Sequence, residues 1–148
     1  MPETAGARMK QTLYEAVGGL PTLQRVHKIF YDKIYAHPWI GQFFDGFDQK
    51  VIEDKQTSFM AGKMGGPDDY RGKEIRMVHE VMYIDQELFE LRHAILDQSL
   101  REAGVDDDGR ERWLKIDSAF MKHVVKDSIE SMYHNDWKYK KPIIIPKP

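Results

Sequence analysis

The chain has 148 residues, 41% hydrophobic and 31% charged, with 22 Lys and Arg against 24 Asp and Glu and a formal net charge of −2. That length suits one domain with apolar residues enough for a core, and the balanced charge offers no basic stretch for nucleic acid. The lack of cysteine excludes disulfides, thiolate nucleophiles and Cys-ligated zinc or iron–sulfur clusters. No apolar run approaches the roughly 20 residues of a membrane helix, and the polar start "MPETAGARMKQ" lacks the apolar segment of a secretory leader. A soluble, cytoplasmic protein is expected.

Residues 1–10 read as a flexible extension, and a domain over 11–135 follows. A short helix over about Gln11–Val17 stops at Gly18–Gly19, since paired glycines favour a turn. Pro21 suits the first turn of a helix over Pro21–Ala36, with Leu23, Val26, Ile29, Phe30 and Ile34 on one face. "AHPWIGQFFDGFD" breaks the period with Pro38, Gly41 and Gly46. Asp48 is a plausible N-cap for a helix over Gln49–Met64, whose stripe is Ile52, Gln56, Phe59, Met60, Lys63 and Met64. "GGPDDYRG" interrupts, and a short helix over Lys73–Val81 carries His79. Asp85 can cap a helix to Ala103, and Gly104 ends it. A last helix is expected over Asp107–Tyr133, with Trp113, Ile116, Phe120, Val124 and Ile129 inward. The Pro/Lys-rich end, 136–148, contains "KYKKPIIIPKP", whose prolines prevent a helix. An extended or mobile tail is expected, with Ile143–Ile145 the one short strand-like run. The class is all-α.

Three polar residues sit on or beside apolar faces. His79 shares a face with Ile75, Val78 and Met82 in "EIRMVHEVMYI". An unpartnered buried ring nitrogen costs about 1–3 kcal/mol, so a carbonyl, a water or a metal should satisfy it. Tyr31 lies at the edge of the second stripe, and Gln56 falls between Ile52 and Met60. Taken alone, each has an ordinary structural reading: a hydrogen-bonded core histidine, a rim tyrosine, a glutamine at the core margin. His27, His37 and His134 read as structural or surface residues.

In this order and spacing, "LYEAVGG", "FYDKIYAHPWIGQFF", "DKQTSFMAGKMGGP", "YRGKEIRMVH" and "LFELRHAIL…LREAGV" resemble the truncated hemoglobins, the first group of that family most closely. The resemblance covers roughly residues 12–105 and weakens in the last helix. It implies a globin-like, two-over-two helical sandwich holding heme b, iron protoporphyrin IX. It places His79 as the proximal iron ligand, with its other ring N–H free to reach a carbonyl. It places Phe44 against the heme, and Tyr31 and Gln56 as distal hydrogen-bond donors. Ile52 takes the position of the distal histidine of many globins. Phe59 and Met60 fall on wall or channel positions, and Tyr70, Ile75, Val78, Tyr83 and Phe89 complete the surround.

The sequence departs from the family at two places. Arg92 and His93 stand where relatives carry apolar residues; Arg92 would reach a propionate, run to the surface or intrude on the pocket. Lys55 stands where some relatives carry a histidine that binds iron as a sixth ligand. A lysine there would need to lose its proton, against a reference pKa of ~10.4, and a solvated lysine is the simpler reading. His123 lies one residue off register from a histidine that some relatives attach covalently to heme.

The function implied is reversible binding of dioxygen, for storage or transport, and of nitric oxide and carbon monoxide. Donors at hydrogen-bond distance, ~2.7–3.2 Å, would slow the release of a dioxygen carrying partial negative charge. Two other functions use the same residues. One is nitric-oxide dioxygenation or peroxidase chemistry, with electrons from a separate reductase, because no flavin or nicotinamide domain is apparent. The other is redox or gas sensing, with Lys55 displaced from iron. Neither a nucleic acid nor a membrane is an expected partner, and the sequence leaves the oligomeric state open.

Overall fold

Thr12 opens the first helix with a capping box. Its hydroxyl accepts from the Glu15 amide at 3.1 Å, and the Glu15 carboxylate accepts from the Thr12 amide at 3.3 Å. The protein's structure, a computed structural model, describes residues 11–68, 82–121, 124–126, 128–129 and 143–148. Helix α1, Leu13–Val17, ends at Gly18, whose φ of 110° lies in the left-handed region that side chains avoid. Helix α2, Leu20–Ala36, starts one residue before Pro21, and buries Leu23, Val26, His27, Phe30, Tyr31 and Ile34 along one face. The apolar side chains Leu23, Val26, Phe30 and Ile34 are almost wholly enclosed, each contributing about 1.5–3 kcal/mol by leaving water.

The corner after α2 is a 3₁₀ turn, Ile40–Phe44. His37 organises it: its Nδ1 accepts from the Trp39 and Ile40 amides at 3.1 and 3.3 Å. Asp48 caps helix α3, Gln49–Lys63, by accepting from the Val51 amide at 3.1 Å. Asp85 does the same for helix α4, Gln86–Glu102, from the Leu88 amide at 2.8 Å. Helix α5 spans Asp107–Met121. The helices form two pairs, α2 with α3 and α4 with α5, while α2 also lies against α4 and α1 against α5. The expected all-α, globin-like fold is observed. Among the described residues there is no strand, only isolated bridges from Met82 to Ile143 and from Ile84 to Val125, and no helix is long and apolar enough to cross a membrane.

Three expectations require correction or refinement. The last helix does not continue unbroken to Tyr133. By Val125 the chain has left the helical path, because the Lys126 amide donates to the Ile84 carbonyl at 2.8 Å instead of to its own helix. Ile129, expected inward, is exposed. The buried stripe of α3 is offset by one position from the one read in the sequence: Glu53, Thr57, Met60 and Ala61 are buried, Ile52, Gln56 and Phe59 are half-buried, and Lys63 is exposed. The end of the tail is extended, as expected, but docked. The Ile145 carbonyl accepts from the Trp39 indole at 2.8 Å, the Ile143 carbonyl accepts from the Tyr83 amide at 2.8 Å, and Lys147 pairs with Glu87. The expected helix over Lys73–Val81 lies outside the described residues.

Candidate functional site

The face of α2 that buries Phe30 and Tyr31 meets the 3₁₀ turn, the inner side of α3 and the start of α4. Tyr31 is its centre. Its ring is edge-on to Phe30 at 4.8 Å between centroids and edge-on to Phe44 at 5.8 Å. Phe44 also packs on Tyr35 at 5.3 Å. The three rings fix the phenol by shape. Tyr31 is buried, and its hydroxyl makes no hydrogen bond to any described residue. Burial pushes its pKa well above the ordinary value of 10.0, with the Arg92 charge pulling the other way. It is therefore a neutral donor throughout the physiological range.

Gln56 sits on the half-buried flank of α3, with Ile52 one turn before it. Its carboxamide likewise makes no hydrogen bond to a described residue. Met60, one turn on, is buried. Phe59 faces α5 and packs on Phe120 at 5.1 Å, with the Lys63 ammonium 5.4 Å above its ring. Lys55 is exposed. Tyr83 and Phe89 are half-buried; Phe89 stacks on His93 at 6.2 Å, and the His93 Nδ1 shares a hydrogen bond with the Ser118 hydroxyl at 3.1 Å. His79, Tyr70, Ile75 and Val78, with His123 and His134, lie outside the described residues.

Arg92 turns inward, not to the surface. Its Nη1 donates to the Asp117 Oδ2 at 2.6 Å, and its guanidinium carbon lies 5.1 Å from the centre of the Phe30 ring. The two side chains are 15% and 3% exposed, so the pair is an interior one. Burial works against the Arg92 charge, but Asp117 more than offsets it and holds its pKa above the ordinary value. Behind Tyr31, His27 is fully buried, its Nδ1 2.8 Å from the Thr57 hydroxyl and its ring edge-on to Trp113 at 5.8 Å. Burial, and then the Arg92 charge, push the His27 imidazole down from 6.5 to about 3. It is a neutral core histidine, the structural role read for it.

The sequence reading missed Asp117, Thr57 and Glu53. Asp117 carried a usable signal. It falls four residues after Trp113 and four before Met121, on the buried face of α5, where a carboxylate requires a charged partner. Glu53 is buried with its carboxylate accepting from Gln49 at 2.8 Å. Thr57 lies four residues further on, on the same face of α3.

The arrangement offers two side chains able to donate hydrogen bonds from different helices, one of them, Tyr31, framed by aromatic rings with a buried cation one ring away. Comparison with known proteins gives it a context. Residues 12–127 match the family described as bacterial-like globin. The chain is 32% identical over 97 residues to a group 1 truncated hemoglobin of Tetrahymena pyriformis, covering 66% of this chain and 80% of that one. It is 32% identical over 94 residues to one from Mycolicibacterium paratuberculosis, covering 64% and 69%. The crystal structure of the T. pyriformis truncated hemoglobin in its Fe(III) form superposes with a TM-score of 0.72 at 28% identity, over 79% of this chain and all of that one. The hemoglobin of Chloroflexus aurantiacus superposes with a TM-score of 0.71 at 26% identity, over 78% and 98%.

Proposed function

The chain belongs to the bacterial-like globins and, among them, to the group 1 truncated hemoglobins, and from that premise we propose that it binds dioxygen and other diatomic gases at a heme ligated by His79, with Tyr31 and Gln56 as the distal donors. The observation that carries this reading is the pair of donors themselves. Tyr31 is a buried phenol against Phe30 and Phe44, and Gln56 is a half-buried carboxamide on α3, the helix paired with α2. A phenol O–H and a carboxamide N–H can both donate, which fits a bound molecule that accepts from both.

A bound heme would supply an iron able to take up a small gas. With no cysteine in the chain, no thioether can tether the porphyrin, which favours heme b. His79 would hold that iron through a ring nitrogen. Tyr31 stays protonated and donates its O–H. Gln56 donates its N–H, and its amide geometry leaves its own oxygen pointing elsewhere. Phe44 and Phe30 hold the phenol in place, so little side-chain freedom is lost when the gas arrives. Dioxygen draws electron density as it binds, so these donors hold it more firmly than they hold carbon monoxide, which draws less. The unit that does this is the domain over 11–135, preceded by a short extension and followed by the tail, and it acts in the cytoplasm. Dioxygenation of nitric oxide at the same donors would require a separate reductase.

Tyr31→Phe keeps the ring packing and removes the donor. A hydrogen bond to a charged acceptor is worth about 1.5–3 kcal/mol, so stopped-flow measurement should show dioxygen released faster by about tenfold or more, with carbon monoxide release little altered. An unchanged dioxygen off-rate removes Tyr31 from the gas site.

A further inference from the structure

A buried ion pair is a poor stabiliser, because desolvating both charges offsets most of their attraction, and apolar residues of the same volume often serve as well. The Arg92–Asp117 pair nevertheless occupies the interior beside the tyrosine of the gas site. We propose that Arg92, anchored by Asp117, is a positioning and selectivity residue of that site: its guanidinium sets a positive potential on the Tyr31 side and favours gases that accept electron density over those that do not. The inference rests on the gas-binding reading above and extends it to a residue outside the donor pair.

The geometry is specific. Asp117 fixes one end of the guanidinium through Nη1 at 2.6 Å. The Phe30 ring receives the cation at 5.1 Å and meets the Tyr31 ring at 4.8 Å. Phe30 thus touches both the cation and the phenol, and an aromatic interior at low dielectric screens charge far less than water does. The guanidinium and not the carboxylate is the stronger influence on Tyr31. Arg92 opposes the rise in the Tyr31 pKa more strongly than Asp117 adds to it, and it also disfavours protonation of His27. The other ionisable groups that act on Tyr31 are Tyr35 and Glu53. Glu53 is engaged by Gln49 at 2.8 Å and Tyr35 donates to the Phe47 carbonyl at 3.1 Å, so neither is held by Arg92.

The test reads the potential directly. In the carbon monoxide complex of the full-length protein, a positive potential near the ligand oxygen strengthens back-donation and lowers the C–O stretching frequency. Arg92→Gln should raise that frequency and speed dioxygen release by about threefold to tenfold. Asp117→Asn, which leaves the cation without its counter-charge, should move the frequency the opposite way and leave dioxygen release no faster than in the parent. A purely structural pair would move both variants in the same direction, and that result overturns the proposal, as does an Arg92→Gln protein with the parent's frequency and off-rate. Should either single variant fail to fold, the double variant Arg92→Met with Asp117→Leu fills the same space without charge. A raised frequency and faster dioxygen release in it support the proposal, and parental values overturn it. A parent protein that shows no Soret band with hemin removes the gas-binding reading, and this inference with it; a normal Soret band with unchanged variants removes this inference alone.

Discussion

A neutral imidazole enclosed by Trp113, Tyr31 and Thr57 has a measurable signature in solution. The His27 pKa is lowered from 6.5 to about 3 in the folded protein, by burial first and Arg92 second. In the unfolded chain it titrates near its ordinary value, so below that pH the unfolded state binds a proton that the folded state refuses. Its contribution is therefore fully present above about pH 6.5 and lost as pH falls toward the folded value, with a slope approaching ~1.4 kcal/mol per pH unit for one proton. Urea unfolding between pH 7 and pH 4.5 should show that slope on top of the carboxylate contribution, and His27→Gln should flatten it. An identical pH dependence in the variant would mean that the ring is protonated in the fold. The sequence revealed His27 only as a residue near an inner face. What it lacked was the partner, since Thr57 comes from another helix and no local spacing links them. Arg92 was legible as a departure from an apolar pattern, but its destination depended on Asp117 in α5, again a contact between helices.

Helix limits were the more legible level, because caps are local. Thr12, Asp48 and Asp85 each accept from an amide three residues on, and each start falls within two residues of its sequence-based position. Helix α5 defied the reading because its end is set by competition: Ile84 takes the Lys126 amide, and the apolar period of 3.6 in the sequence carries no trace of that partner. The turn after α3 shows a tighter dependence. Tyr14 of α1 donates its amide to the Met64 carbonyl at 3.1 Å and lays its ring over Gly66, where a Cβ would meet ring atoms at 2.5–2.8 Å. The contact lies at the Cγ end of the ring, close to the α1 backbone, so no small rotation relieves it. Gly66→Ala should cost about 1–3 kcal/mol, measured by denaturant midpoint, and Gly66→Ala with Tyr14→Ala should recover much of the loss from overpacking. A fully additive pair would show that the Tyr14 ring does not press on Gly66. The offset stripe of α3 belongs to the same scale. Gln56 was read as squarely on the apolar face and lies on its half-buried flank, one position off the stripe of Glu53, Thr57, Met60 and Ala61 that α3 buries.

Across the whole molecule, the end of the chain is built into the fold. The Ile143 and Ile145 carbonyls receive the Tyr83 amide and the Trp39 indole, and Ile145 packs on the core. Residues 82–84 thus lie between two other pieces of chain, 143–145 on one side and 124–126 on the other, three residues beyond His79 in sequence. The sequence showed only prolines and a run of isoleucines, and docking at this distance along the chain is invisible to composition. Removing residues 143–148 strips both donors of their acceptors, at about 0.5–1.5 kcal/mol each. The truncated protein should unfold at lower denaturant, with faster hydrogen exchange at the Tyr83 amide; an unchanged midpoint and unchanged exchange there would show that the tail contributes nothing.

The most direct measurement is a hemin titration followed by absorption spectroscopy, with the parent protein and His79→Gly, each with and without free imidazole. The parent should take up hemin with a sharp Soret band and form stable ferrous and carbonyl complexes. His79→Gly should bind hemin loosely, and imidazole should restore the parent spectrum by standing in for the missing ring. Parent-like uptake, Soret band and gas affinity in His79→Gly, both without imidazole and with it, would contradict the assignment of the iron to this residue.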